Sequence, residues 1–189
     1  MRPVDRIKSR RDGVRPSRRG TSSASLKLGG VTVWGENEDA LAAAIGELKD
    51  SIEQTAASHL TIVRSVLKKL VVQHLECTDL DDKVFSAVLG AALRGGRLDS
   101  VVCSSTNDKA YRFLMHVSQS ARWQHARDTA LELLRDHGTL RIRDLESNIF
   151  GARAYNTYSS TAHVLARLNY LGIVRLVGDT AHCVTRDFK

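Results

Sequence analysis

Apolar residues recur every three or four positions at Leu41, Ile45, Leu48, Ile52, Ala56, Leu60, Val63, Leu67 and Leu70, with no proline between them. This spacing predicts a helix from Ala40 toward Glu76, with Glu36, Asn37, Glu38 and Asp39 supplying a cap and an acidic first turn. Unbroken, such a helix would reach about 54 Å at 1.5 Å per residue, a length that suits a homo-oligomer or a partner protein docked along 40–76. A break near Ala56-Ala57-Ser58 would instead give a helical hairpin with the stripe turned to its own core, and the pattern leaves both open. Gly46, the alanines and the threonines on the stripe are poor choices for a strict coiled coil.

Shorter patterns flank this one. Leu26-Lys27-Leu28 and Val31-Thr32-Val33 alternate about Gly29-Gly30 and predict a hairpin over 25–34. An isolated hairpin is marginal in water, so this one should dock, with Trp34 as its bulk. Asp79–Leu93 carries Leu80, Val84, Phe85, Val88 and Leu89 at helical spacing and stops at Gly95-Gly96. Leu98–Ser105 is ambiguous. Thr106 or Asn107 then caps an expected helix bearing Tyr111, Leu114, Met115 and Val117. Residues 35–118 therefore read as a helical assembly module.

From 119 to 189 the pattern changes register several times. Ala126, Ala130, Leu133 and Leu134 mark a helix ended by Gly138, and Thr139-Leu140-Arg141-Ile142 alternates like a very short strand. Asp144 to Phe150 gives a second short helix closed by Gly151. Ser159 or Ser160 caps a third, whose buried face is Val164, Leu165, Leu168 and Leu171, and which ends at Gly172. Ser160, Thr161, His163 and Arg167 are then expected to face outward. Ile173–Val177 and His182–Thr185 alternate around Gly178-Asp179-Thr180 and form a hairpin.

The order helix, strand, helix, turn, helix, hairpin, with the Leu168-Asn169-Tyr170-Leu171-Gly172-Ile173-Val174 entry to the hairpin, resembles the winged helix-turn-helix superfamily over about the last 70 residues. The expected fold class is mainly α with a small antiparallel β wing: a C-terminal winged helix behind a helical module and a disordered basic arm. The resemblance implies that the third helix enters the major groove of DNA and the wing tip meets the backbone or the minor groove. Carried over, it implicates Ser160, Thr161, His163, Arg167 and the wing residue Arg175, with Thr180 at the tip. The tip departs from a phosphate-gripping wing in holding Asp179 and no Lys or Arg.

Charge sharpens the picture at the other end. Residues 1–24 hold eight arginines and lysines against Asp5 and Asp12, so they carry +6 of the net +7, and the rest is close to neutral. Residues 34–118 have 9 bases against 12 acids. With both prolines and only Val4, Ile7 and Val14 as sizeable apolar residues, 1–24 is expected to be a disordered arm. Arginines such as Arg10, Arg11, Arg15, Arg18 and Arg19 suit bidentate phosphate contact or a narrow minor groove. The partner this implies is duplex DNA, or RNA.

No apolar run approaches the roughly 18 to 20 residues of a membrane span, and the charged N-terminus lacks a secretory apolar core. Cys77, Cys103 and Cys183, odd in number and scattered, form no disulfide framework, and the expectation is an intracellular protein without membrane contact.

Motifs for catalysis are missing from the sequence: no phosphate-binding loop, dinucleotide fingerprint or zinc-protease helix occurs. His74-Xaa2-Cys77 puts two potential ligands on one helical face, but His182-Cys183 on a strand would point to opposite sides, and neither pair makes a zinc set. Tyr155, Ser159, His163 and Arg167 lack the carboxylate cluster that would hold Mg²⁺ for phosphoryl chemistry. The expected function is non-enzymatic DNA binding without metal or cofactor, as in a transcriptional regulator or a chromosome or plasmid maintenance factor. The alternatives are a structural subunit that uses the winged helix for protein contacts, and a ribonucleoprotein subunit that binds RNA through the arm.

Overall fold

The structure, a computed structural model, describes residues 4, 7–9, 24–28, 31–78, 80–107, 109–150 and 158–184; of residues 8, 9, 149, 150 and 158–160 it describes the backbone alone. The described residues make a mixed fold of six α-helices and small antiparallel sheets. The chain divides into two units, the first made of Met1–Thr55 and Arg64–Leu98, the second of Ala56–Val63 and Asp99–Lys189.

In the first unit, strands β1 (Lys8–Ser9), β2 (Ala24–Leu28) and β3 (Val31–Gly35) form a sheet in the order β1-β3-β2. The expected hairpin is present, with Leu26 opposite Val33 and Leu28 opposite Val31. Its other edge is covered by β1, which pairs Lys8 with Trp34 and Ser9 with Val33. The expectation that 1–24 is wholly disordered is thereby corrected. Val4 and Ile7 are buried, because two apolar side chains three residues apart give the hairpin the third strand and the core it lacks alone. Arg10, Arg11, Arg15, Arg18 and Arg19 lie outside the described residues.

Helix α1 (Glu38–Ala57) starts where the Asn37 side chain accepts from the Ala40 amide at 2.8 Å. It buries Leu41, Ala44, Leu48, Ile52 and Ala56. The stripe does not continue as one helix: it breaks at the end of α1, beside the expected Ala56-Ala57-Ser58. Thr61, Ile62 and Val63 are consecutive β-branched residues, which lose side-chain freedom in a helix and fit an extended strand, and the chain extends before α2 (Arg64–His74) resumes the stripe at Leu67 and Val71. Helix α3 (Asp82–Arg94) is capped by Asp81, whose carboxylate accepts from the amides of Lys83 and Val84. Asp82 accepts from Arg64 at 2.8 Å and from Lys68 at 3.1 Å, and these two cations hold its carboxyl below the usual range.

The second unit corrects the all-helical reading of 35–118. Leu98–Ser104 is strand β4 and Ala110–His116 is strand β5, paired with each other; the helix expected from 107 onward is this second strand. Leu114 and Met115 at helical spacing from Tyr111 proved a weaker signal than a neighbouring Val101-Val102-Cys103 segment able to pair with Tyr111-Arg112-Phe113. Segment 56–63 joins this unit as a strap. Ile62 and Leu114 exchange both backbone hydrogen bonds, at 2.9 and 2.8 Å, Leu60 enters the core, and the Gln119 side-chain amide donates to the Ala57 carbonyl.

The remaining elements follow the expected order. Helix α4 (Ser120–His137) ends at Gly138, whose φ of 72° lets its amide reach the Leu134 carbonyl. Strand β6 (Thr139–Arg141), helix α5 (Ile142–Phe150), helix α6 (Tyr158–Tyr170), and strands β7 (Val174–Val177) and β8 (Thr180–Cys183) complete the unit. The sheet order is β6-β8-β7. Leu140, Ala181, Val174 and Leu176 face a core shared with Trp123, Ala126, Ala130, Leu134, Leu145, Val164, Leu165 and Leu168. Among the described residues, no helix is long and apolar enough to cross a membrane.

Candidate nucleic-acid interface

Helix α6 buries one face, Val164, Leu165 and Leu168, against the core, whereas Leu171, expected on the same face, follows the end of the helix and is exposed. The face expected to look outward is also covered, by the β4–β5 strands and the strap. His163 is only 8% exposed. Its Nδ1 pairs with Thr61 Oγ1 of the strap at 2.8 Å, and its ring stacks on Phe113 of β5 with centroids 4.9 Å apart and planes 12° from parallel. Tyr111 meets the same ring at 5.9 Å, tilted by 56°. A charged imidazole would lose its hydration here, so burial pushes the His163 pKa down to about 4, and the ring is neutral at pH 7. Burial likewise pushes the neighbouring Tyr111 phenol and Cys103 thiol up.

One turn on, Arg167 is half-buried. Its Nη1 donates to the Val102 carbonyl at 2.8 Å, and its guanidinium lies 5.3 Å from the centre of the Tyr170 ring. Asn169 continues the contact: Nδ2 donates to Ser104 Oγ at 2.6 Å, while Oδ1 accepts from the Leu176 amide at 3.1 Å. Thr161 is fully buried, and its hydroxyl finds no partner. The outward orientation expected of Thr161, His163 and Arg167 is therefore corrected. A helix with apolar residues on one face carries polar ones on the other whether that face meets water or a small sheet, and the sequence does not distinguish the two. The side chain of Ser160 lies outside the described residues.

Arg175 is where the sequence put it, exposed on β7. Register sets its neighbours. Thr139, His182 and Arg175 form one row across β6, β8 and β7, and Arg141, Thr180 and Val177 form the next. These six side chains make the solvent face of the sheet, opposite Leu140, Ala181, Val174 and Leu176. None is a carboxylate, and neither Arg141 nor Arg175 is ion-paired to a described acid. The His182 ring accepts or donates to Thr139 Oγ1 at 3.3 Å. Asp179 stands at the turn, one residue before Thr180. Arg141 and His182 were missed by sequence reasoning. The alternation of Thr139-Leu140-Arg141 already turned Arg141 away from the core, but only the pairing of β6 with β8 brings it beside Arg175.

Among the described residues no group of three His, Cys, Asp or Glu side chains is placed to hold a metal ion; Cys77 is buried against the Val72 carbonyl while His74 is exposed. No family model matches the chain, and comparison with the curated proteins returns no relative.

Proposed function

We propose that this chain is a non-enzymatic DNA-binding protein, built from a C-terminal winged helix and a basic N-terminal arm, that holds DNA mainly through phosphate contacts. The observation that carries the reading is the placement of charge: six of seven net positive charges fall within residues 1–24, with Arg10, Arg11, Arg15, Arg18 and Arg19 clustered in the sequence after the buried Ile7. The order α4, β6, α5, α6, β7, β8 supports the winged-helix assignment. The burial of His163 and Thr161 argues against base reading by α6, and so favours a regulator or maintenance factor that binds with little sequence discrimination.

The test is a salt titration of binding to duplex DNA, single-stranded DNA and structured RNA. Deleting 1–24 would remove Val4, Ile7 and β1, so the arm is neutralised by substituting the five arginines with alanine. The slope of log K against log salt on duplex DNA should flatten by up to about 4.5, at roughly 0.9 per phosphate contact. An unchanged slope would exclude the arm as the ligand surface. A second reading, a subunit of a larger assembly, draws on the exposed Leu171 (48%) and Val184 (57%); the Val184 amide donates to the carbonyl of Ile173, two residues after Leu171. It expects no salt-dependent DNA binding by the purified chain.

A further inference from the structure

The proposed function leaves the folded part of the chain without a DNA surface, because the face of α6 that would enter a groove is spent on the strap and the β4–β5 strands. We infer that the solvent face of the β6-β8-β7 sheet is that surface, and that it grips the phosphate backbone of duplex DNA through Arg141 and Arg175 without reading bases. The inference rests on the DNA-binding reading above.

Three observations converge on it. Thr139, Arg141, Arg175, Val177, Thr180 and His182 form a face with two arginines, hydroxyls and an imidazole; no acid is among the six, and the one carboxylate that touches them among the described residues is Asp179 at the turn end, which accepts from the Thr180 hydroxyl at 3.3 Å. An anionic partner meets complementary charge there, and the two arginines keep their full donor sets, since no described carboxylate engages them.

Their spacing is the second. Arg175 lies opposite His182, as Thr139 does, and Arg141 is two residues beyond Thr139. Two inter-strand steps and two residues of rise separate the arginine Cα atoms by about 12 Å. At that spacing each arginine can engage a phosphate of its own. The turn beyond them carries Asp179, which repels phosphate, so the broad face rather than the tip is the grip.

The third concerns the kind of nucleic acid. Binding of single strands relies on aromatic side chains as stacking platforms. This face has no Phe, Tyr or Trp. A three-stranded sheet is also broader than the helix or two-stranded ribbon that the major groove admits, so the contact is with the backbone.

The experiment uses the full chain with its arm intact, compared with Arg141→Ser/Arg175→Ser and Arg141→Lys/Arg175→Lys. Both positions are exposed, and thermal melting checks that each variant folds as the parent does. On a duplex DNA of mixed sequence the serine variant should lose about 1.8 from the salt slope, so that the parent's affinity advantage changes about 12-fold between 50 and 200 mM salt. The lysine variant should keep the parent slope, and the serine loss should be the same on AT-rich and GC-rich duplexes. A parent that binds DNA while the folded serine variant keeps its full slope would overturn the sheet face and leave the arm as the grip. A loss confined to single-stranded DNA or to RNA, or to one duplex sequence, would also overturn it. If the parent shows no salt-dependent binding to any duplex, the DNA-binding reading itself fails, and the sheet face with it.

Discussion

Acidifying the protein from pH 7 to pH 4 should destabilise the second unit through one residue, His163. Buried between Thr61 and Phe113, its imidazole has a pKa pushed down to about 4, against 6.5 for the free side chain. Between those values the unfolded chain holds a proton that the folded chain does not, so stability falls as pH drops through 6.5 and levels off below about 4. A difference of about 2.5 pH units, at 1.36 kcal/mol each, sets the full loss at roughly 3 kcal/mol, a large share of the 5–15 kcal/mol typical of a folded domain. Trp123 reports on this unit, since it is buried with its ring 5.1 Å from Phe113, and Trp34→Phe removes the other tryptophan. Urea unfolding followed by Trp123 fluorescence at half-unit steps of pH gives the curve. Carboxylates also titrate near its lower end, so the decisive quantity is the difference from His163→Gln, which has no charge to gain. If the two proteins lose stability in parallel from pH 6.5 to 4, His163 is not the group responsible and its neutral burial is refuted.

Two other outcomes follow from positions that changed meaning between sequence and structure. Arg167→Ala removes a charged hydrogen bond to the Val102 carbonyl, so it should cost about 1.5–3 kcal/mol in chemical denaturation while leaving discrimination among duplex sequences unchanged; lost discrimination in a protein of parental stability would restore α6 as a reading helix. Val4→Ala with Ile7→Ala should lower stability by about 2–5 kcal/mol, the usual cost of emptying buried aliphatic sites, and a melting temperature equal to the parent's would show that residues 1–9 lie outside the cooperative fold.

What could be read from the sequence divides along the range of the interactions concerned. Helix ends set by one residue were legible: Gly138 and Gly172, both at φ 72°, follow α4 and α6 where the sequence ends those helices, and Asn37 opens α1. So was the outward Arg175, since strand alternation is local. The misreadings concern residues whose conformation is decided by a distant partner. Tyr111 and Leu114 have helical spacing but pair with β4 and with Ile62, and Leu60 keeps the period of α1 although it packs in another unit. His163 looked like a groove-facing residue because its partner, Thr61, lies 102 positions earlier. Val4 and Ile7 were hidden by the arginines around them, since composition averages over a segment and two side chains suffice to anchor a strand.

The strap has a consequence for the timing of folding. Residues 56–63 are synthesised within the stretch that forms the first unit, yet Ile62 must wait 52 residues for Leu114 and Thr61 must wait 102 for His163. During that interval Leu60 and Ile62 have no core to enter, and the first unit must mature around a loop whose apolar residues belong elsewhere. Closing so long a loop is entropically slow, and contacts of high sequence separation delay the rate-limiting step of folding. Until the second unit forms, the nascent chain therefore carries an exposed Leu-Thr-Ile segment that a chaperone recognising short extended apolar stretches would occupy first.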